Sequence, residues 1–256
     1  MPTTMNKQQQ LEQILKLLKK RYTTPADAEE RPVLEHLIYG IIREGTTRDI
    51  ADRAYKNLRT HFFDWNEIRV SSPHEIEDVL TNIPLAGERA QRITGILQYW
   101  FELKYNFDME DLAKKGLKDA ARQLSRMLNE VAKGGMKESG RIPVRVIDGN
   151  DYVVSYVIQQ GLGGHAIPLD APSIRVLRRL GMLEESTEGL EQLRGSIEHH
   201  VPKTKGALFN ELISLVAIQL CTETHPKCKA CPLLEECPFG QEHAGHGAES
   251  KPRKSR

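Results

Sequence analysis

CTETHPKCKACPLLEEC, residues 221–237, holds every cysteine of the chain. Four thiols in so short a loop have no partner elsewhere to cross-link, and a secreted disulfide scaffold would spread its cysteines along the chain. The spacing is Cys221-x6-Cys228-x2-Cys231-x5-Cys237. Four thiolates can hold a tetrahedral zinc or a [4Fe–4S] cluster. Zinc sites more often use two short CxxC-type knuckles. Here one pair is close and the outer two cysteines reach in on longer arms, which suits the four corners of an iron–sulfur cube.

The rest of the chain reads as helix. Residues 8–20 place Leu11, Ile14, Leu15 and Leu18 on one face, and 32–43 repeat the pattern with Leu34, Leu37, Ile38, Ile41 and Ile42. Thr46 or Thr47 can cap a helix carrying Ile50, Ala54 and Leu58. Ser72, Pro73 and Glu75 form a helix start. Amphipathic helices are expected over 87–104 and 117–132, with KGGMKESG (133–140) as a loop. Further helices are expected near 151–160, 171–181, 188–198 and 206–220. In DGNDYVV (148–154), Asp148, Gly149 and Asn150 favour a turn that Asp151 caps into helix; Val153, Val154 and Tyr156–Ile158 also permit a strand. Without βαβ alternation the class is all-α.

Net charge is +1, so no global basic field announces a polyanion partner. The longest apolar stretch, LISLVAIQL, is half of what a membrane span needs, and MPTTMNKQQQ lacks the apolar core of a secretory signal. A cytoplasmic monomer is the expectation, nucleoid-associated if bacterial. GQEHAGHGAESKPRKSR, from Gly240, is polar and basic at its end, and is expected to be disordered.

The cysteine spacing, following the helix LFNELISLVAIQL (208–220), resembles the C-terminal cluster loop of the endonuclease III family of DNA glycosylases. That resemblance implies a [4Fe–4S] cluster, with zinc as the alternative ligand. The cluster would staple the loop without redox chemistry, and Lys227 and Lys229 would project toward DNA phosphate. GLGGHAIPLDAPSIRVLRRLG (161–181) resembles the family segment in which a small, apolar connector leads to a catalytic aspartate and an arginine-rich helix. Asp170 falls on that aspartate. At a helix N-cap a carboxylate faces backbone amides. An ionised acid there can activate water and oppose the positive charge that develops on the sugar as a base departs. The plainer alternative is that Asp170 only caps a helix.

Family members carry a hairpin of the form Leu-Pro-Gly-apolar-Gly, and bifunctional members a lysine just beyond it that attacks the sugar. Counting back from Asp170 puts the hairpin on residues 146–150 and the lysine position on Tyr152. Gly149 is the one glycine left, with Asn150 beside it as the other hairpin residue toward DNA. Asp148 and Asp151 add charge that repels phosphate, by about 1 kcal/mol each where exposed. A phenol forms no imine, so lyase chemistry through Tyr152 is excluded; some mismatch-specific relatives also have tyrosine or serine there and do not cut the strand.

LIYGIIREGTTRDIADRAYKNL (37–58) resembles the family segment that supplies a DNA-intercalating glutamine, whose place Gly45 takes. Glu44 beside it is either a pocket acid or, as favoured here, a solvated turn residue. IPLAGERAQRI (83–93) resembles the minor hairpin, with Leu85 as a wedge and Arg89 and Arg92 as phosphate holders; a plain helix start with solvated arginines is the alternative. Residues 110–140 are longer than in relatives. The resemblance covers about 25–240 and implies two helical lobes flanking a groove. One lobe is 27–160; the other joins 1–26 to 161–240, with 241–256 as a tail. The implied partner is double-stranded DNA with one base flipped out, and the implied activity is monofunctional base excision. The alternatives are a catalytically silent DNA-binding scaffold or a metal-loop protein with a protein partner.

Overall fold

The computed structural model of the protein describes residues 6–23, 30–139, 147–183 and 190–246. Every regular element among them is helical. Helix α1 spans Lys7–Arg21. Its capping box joins Asn6 and Gln9, and its buried face is Leu11, Ile14, Leu15 and Leu18, as the periodicity requires. Helices α2 (Val33–Arg43) and α3 (Arg48–His61) follow, the latter with Thr47 in the cap position but without a side-chain bond to the helix. The short α4 (Trp65–Val70) was not expected; its signal is Asp64, which accepts from the Glu67 amide. Helix α5 (Pro73–Val79) starts on the Ser72–Glu75 capping box, and α6 spans Ala86–Lys104.

Helix α7 runs from Leu117 to Ser139, so the stretch expected as a loop at 133–140 is helical through 139. Each added residue contributes one backbone bond to a helix already nucleated, and a pair of glycines weakens that gain without ending it. Ala120, Leu124, Met127 and Leu128 of α7 are buried against α6 and α8, which makes this long segment part of the core. Helix α8 begins at Ile147 and ends at Tyr156, continuing as one wider turn over Val157–Gly161. The turn expected at 148–150 is therefore the first turn of a helix, with Asp151 inside it rather than capping it. The helix expected near 151–160 is present, and the strand that Val153–Ile158 also permitted is not formed.

Helix α9 is Ala171–Arg179, α10 Leu190–His200 and α11 Lys203–Gln219. Helix α12, Pro238–His246, occupies the start of what was expected to be a disordered tail; residues 247–256 lie outside the described residues. Among the described residues there are two cores. One gathers side chains from Val33 to Ala166 around α2, which touches α3, α6 and α8. The other joins the buried face of α1 to residues from Ile167 to Leu233, with α11 packed on both α9 and α1. No helix among the described residues is long and apolar enough to cross a membrane.

Candidate active site and cysteine loop

The two cores meet where the α2–α3 turn faces the start of α9. Asp170 is the N-cap of α9, and its Oδ1 accepts from the Ser173 amide at 2.9 Å. Its Oδ2 accepts from the Gly45 amide at 2.8 Å, across the junction. Asp170 is 4% exposed. Gly45 has φ +66°, a left-handed backbone that disfavours any β-carbon. The residue that replaces the expected intercalating side chain thus contributes its amide instead.

That turn is held from several sides. Arg43, 3% exposed, donates from Nη1 to the Thr46 carbonyl and to Ser214 Oγ (3.0 Å), and from Nη2 to Glu211 Oε2 (3.0 Å). Ser214 Oγ donates to the same Thr46 carbonyl at 3.2 Å. Burial pulls the Arg43 pKa down, and the neighbouring Tyr152 and Glu211 more than reverse it. On the other side, Arg89 is buried, donating to the carbonyls of Pro84 (2.7 Å), Ile41 and Glu44 (2.6 Å). Arg89 is therefore a brace for the turn rather than a phosphate holder. Arg92 pairs with Glu44 at 2.9 Å, with both side chains mostly buried. The expectation of Glu44 as a solvated turn residue is corrected by the same pair.

Tyr152 sits on α8, 2% exposed. Burial drives its phenol pKa well above the usual value; Arg43 opposes this, and Asp170, Tyr156 and Glu44 add to it. Tyr152 and Asp170 are within electrostatic reach of one another. Gly149 and Asn150 lie in the first turn of α8, and the expected hairpin residue 146 lies outside the described residues. Leu85 is 61% exposed at φ +55°, immediately before α6.

The other end of α9 reaches the cysteine loop. Arg175 donates to the carbonyls of Cys221 (2.9 Å) and Ala217 (3.1 Å). Arg179 donates to Cys221 Sγ (3.2 Å) and the Thr222 and Glu223 carbonyls, and stacks over Phe239. All four cysteines are free and half-buried. Burial is the main cause that raises the Cys228, Cys231 and Cys237 thiols, and neighbouring thiols, Cys221 among them, raise each further. Four soft donors on one loop, with a guanidinium at Cys221 Sγ, fit an anionic metal–sulfur group. Among the described residues, no three His, Cys, Asp or Glu side chains already stand at metal-binding spacing. Lys227 and Lys229 are exposed on this loop.

Of the residues gathered at this junction, the sequence had singled out Asp170, Tyr152 and Gly45. It missed Arg43, Glu211 and Ser214, which carry no motif; the one available signal was a charged residue at each of two otherwise apolar helix positions.

No protein-family model and no curated protein matches the chain. Solved structures do. A trapped endonuclease III–DNA covalent intermediate matches 94% of this chain and 100% of its own at 19% identity, with a TM-score of 0.63. A non-covalent endonuclease III–DNA complex matches over the same shares at 18% identity and TM-score 0.63. A thermostable thymine-DNA glycosylase matches 91% of this chain and 95% of its own at 18% identity and TM-score 0.55. The chain has the all-helical fold of these helix-hairpin-helix glycosylases.

Proposed function

We propose that the protein is a monofunctional DNA N-glycosylase that removes a damaged or mismatched base flipped out of duplex DNA. The observation that carries this reading is Asp170: a carboxylate at the junction of two lobes, oriented by two backbone amides, beside Tyr152. The shared fold with proteins solved on DNA supports it. A carboxylate oxygen has two acceptor sites. With Gly45 and Ser173 each using one, Asp170 keeps capacity to accept a proton from water, or to face a sugar becoming cationic as the base leaves. Tyr152 shapes the pocket and forms no covalent adduct. Leu85, an exposed apolar side chain before α6, would wedge into the stack.

Cys221, Cys228, Cys231 and Cys237 would hold a [4Fe–4S] cluster, zinc being the alternative. The group supplies a covalent staple for the loop. The chain's own part is to orient that loop through Arg175 and Arg179 and to present Lys227 and Lys229 to phosphate.

A panel of duplexes with damaged and mismatched bases, incubated with the protein and then treated with alkali, tests the activity. Strand breaks at one base type are expected in wild type and not in Asp170→Asn. A second reading, a catalytically silent DNA-binding scaffold, is favoured by the burial of both Asp170 and Tyr152. Retained duplex binding without alkali-revealed breaks on any member of the panel would establish it instead.

A further inference from the structure

We propose that Arg43, Glu211 and Ser214 form a clamp between the lobes that positions the Gly45 amide on Asp170, so that all three are positioning residues for this carboxylate. Arg43 ends α2 in one core, whereas Glu211 and Ser214 lie on α11 in the other. Holding the lobes together does not by itself call for such a group. A buried ion pair is often no more stabilising than a well-packed apolar pair of similar volume. What an apolar pair cannot do is grip a carbonyl.

Arg43 Nη1 and Ser214 Oγ both donate to the Thr46 carbonyl, one residue beyond Gly45. Two donors converging on one oxygen fix where that peptide lies. The Arg43 backbone carbonyl accepts from the Thr46 amide at 3.2 Å, closing the turn. The clamp holds the turn at residues 43 and 46, Arg89 Nη2 holds the Glu44 carbonyl of Gly45's own peptide at 2.6 Å, and together they set the left-handed Gly45 N–H that meets Asp170 Oδ2 at 2.8 Å. Glu211 Oε2, 3.0 Å from Arg43 Nη2, holds the guanidinium in the plane that makes this grip possible. Lysine, a single ammonium, cannot reach Glu211, Ser214 and the Thr46 carbonyl together.

Amide exchange at Gly45, followed by NMR on protein labelled with 15N-glycine, tests the clamp without reference to activity. In wild type the Gly45 amide is expected to be protected. In Glu211→Gln and Ser214→Ala its exchange should rise about tenfold, with glycines buried elsewhere unchanged, because only a local opening is made easier. Arg43→Lys should behave as these do. If Arg43→Lys restores wild-type protection, charge alone suffices and the clamp geometry is wrong. If Glu211→Gln and Ser214→Ala leave Gly45 as protected as wild type, the proposal falls.

The catalytic consequence rests on Asp170 being the acid of the proposed glycosylase. There, Ser214→Ala should lower kcat with KM unchanged, since substrate contacts are untouched. A rise in KM at constant kcat would overturn the positioning role. Should wild type process no duplex, the glycosylase reading fails, and the exchange measurement still decides the clamp.

Discussion

Gly45→Ala separates two contributions of one residue. At φ +66° an L-residue loses about 1–2 kcal/mol relative to glycine, and the smaller unfolded-state entropy of alanine returns roughly 0.4–1 kcal/mol. No steric penalty is added, because the new Cβ would meet only Arg89 Nη2, at an ordinary 3.8 Å. Keeping the turn therefore costs about 1 kcal/mol. Flipping it to negative φ would release the strain but remove a hydrogen bond to a buried carboxylate, worth about 1.5–3 kcal/mol. The turn should hold, and the variant should lose about 1 kcal/mol, or about 2–4 °C in Tm for a chain of this size. Urea unfolding followed by circular dichroism measures it, with the m-value unchanged. Gly163→Ala is the control: φ is +61° with nothing near the added Cβ, so it should show the same loss. In an Asp170→Ala background the bond that rewards the left-handed form is gone while Arg43, Ser214 and Arg89 still hold the turn, so the Gly45→Ala penalty should shrink in part. An undiminished penalty there, or a Gly45→Ala protein as stable as wild type while Gly163→Ala is weakened, would refute the coupling between this turn and Asp170.

Purified protein should be brown, and Cys237→Ser should lose the colour; a colourless protein containing zinc would replace the cluster with zinc. Arg179→Leu should loosen the loop without removing a ligand, seen as faster bleaching by a chelator. Borohydride should trap no covalent complex on any duplex the protein processes, and a trapped adduct would mean that a lysine elsewhere does the chemistry. His36 is buried, and burial, helped by Arg31, lowers its pKa from 6.5 to about 4. A depressed histidine contributes stability above pH 6.5 that is lost as pH falls toward 4, by at most roughly 3 kcal/mol. His36→Phe should flatten the fall in urea midpoint across that window, and an unchanged slope would assign the acid sensitivity to other groups.

The sequence made the fold legible because its helices are amphipathic and its cysteines are confined to one loop. The faces of α1 and α2 were readable residue by residue, since period alone decides which side chains a helix buries. Boundaries set by competition were not. At 148–150, Asp, Gly and Asn satisfy both a turn and a helix start, and the packing of α8 on α2 and α7 is a tertiary term that no local pattern contains. At 133–139 the glycines were read as a stop because their intrinsic cost is visible in sequence, whereas the nucleated helix that offsets it is not.

The site divides along the same line. Asp170 was legible because an N-cap is a local event. The meaning of Gly45 was not. From sequence it was a missing side chain, a defect in a DNA-binding lip. In three dimensions it is a donor to Asp170, and the glycine is required by the left-handed backbone that aims it. Arg89 and Arg92 show the reverse error: arginines at a helix start invite a phosphate, yet one is buried on carbonyls of the same turn and the other is paired to Glu44. Three charged residues that would ordinarily face DNA or solvent, Arg89, Arg92 and Glu44, are instead turned inward around the peptide that holds Asp170. The inward Glu44 and the left-handed Gly45 therefore belong together: both shape the peptide whose N–H meets Asp170, and Gly45→Ala asks how much of that hold depends on the glycine.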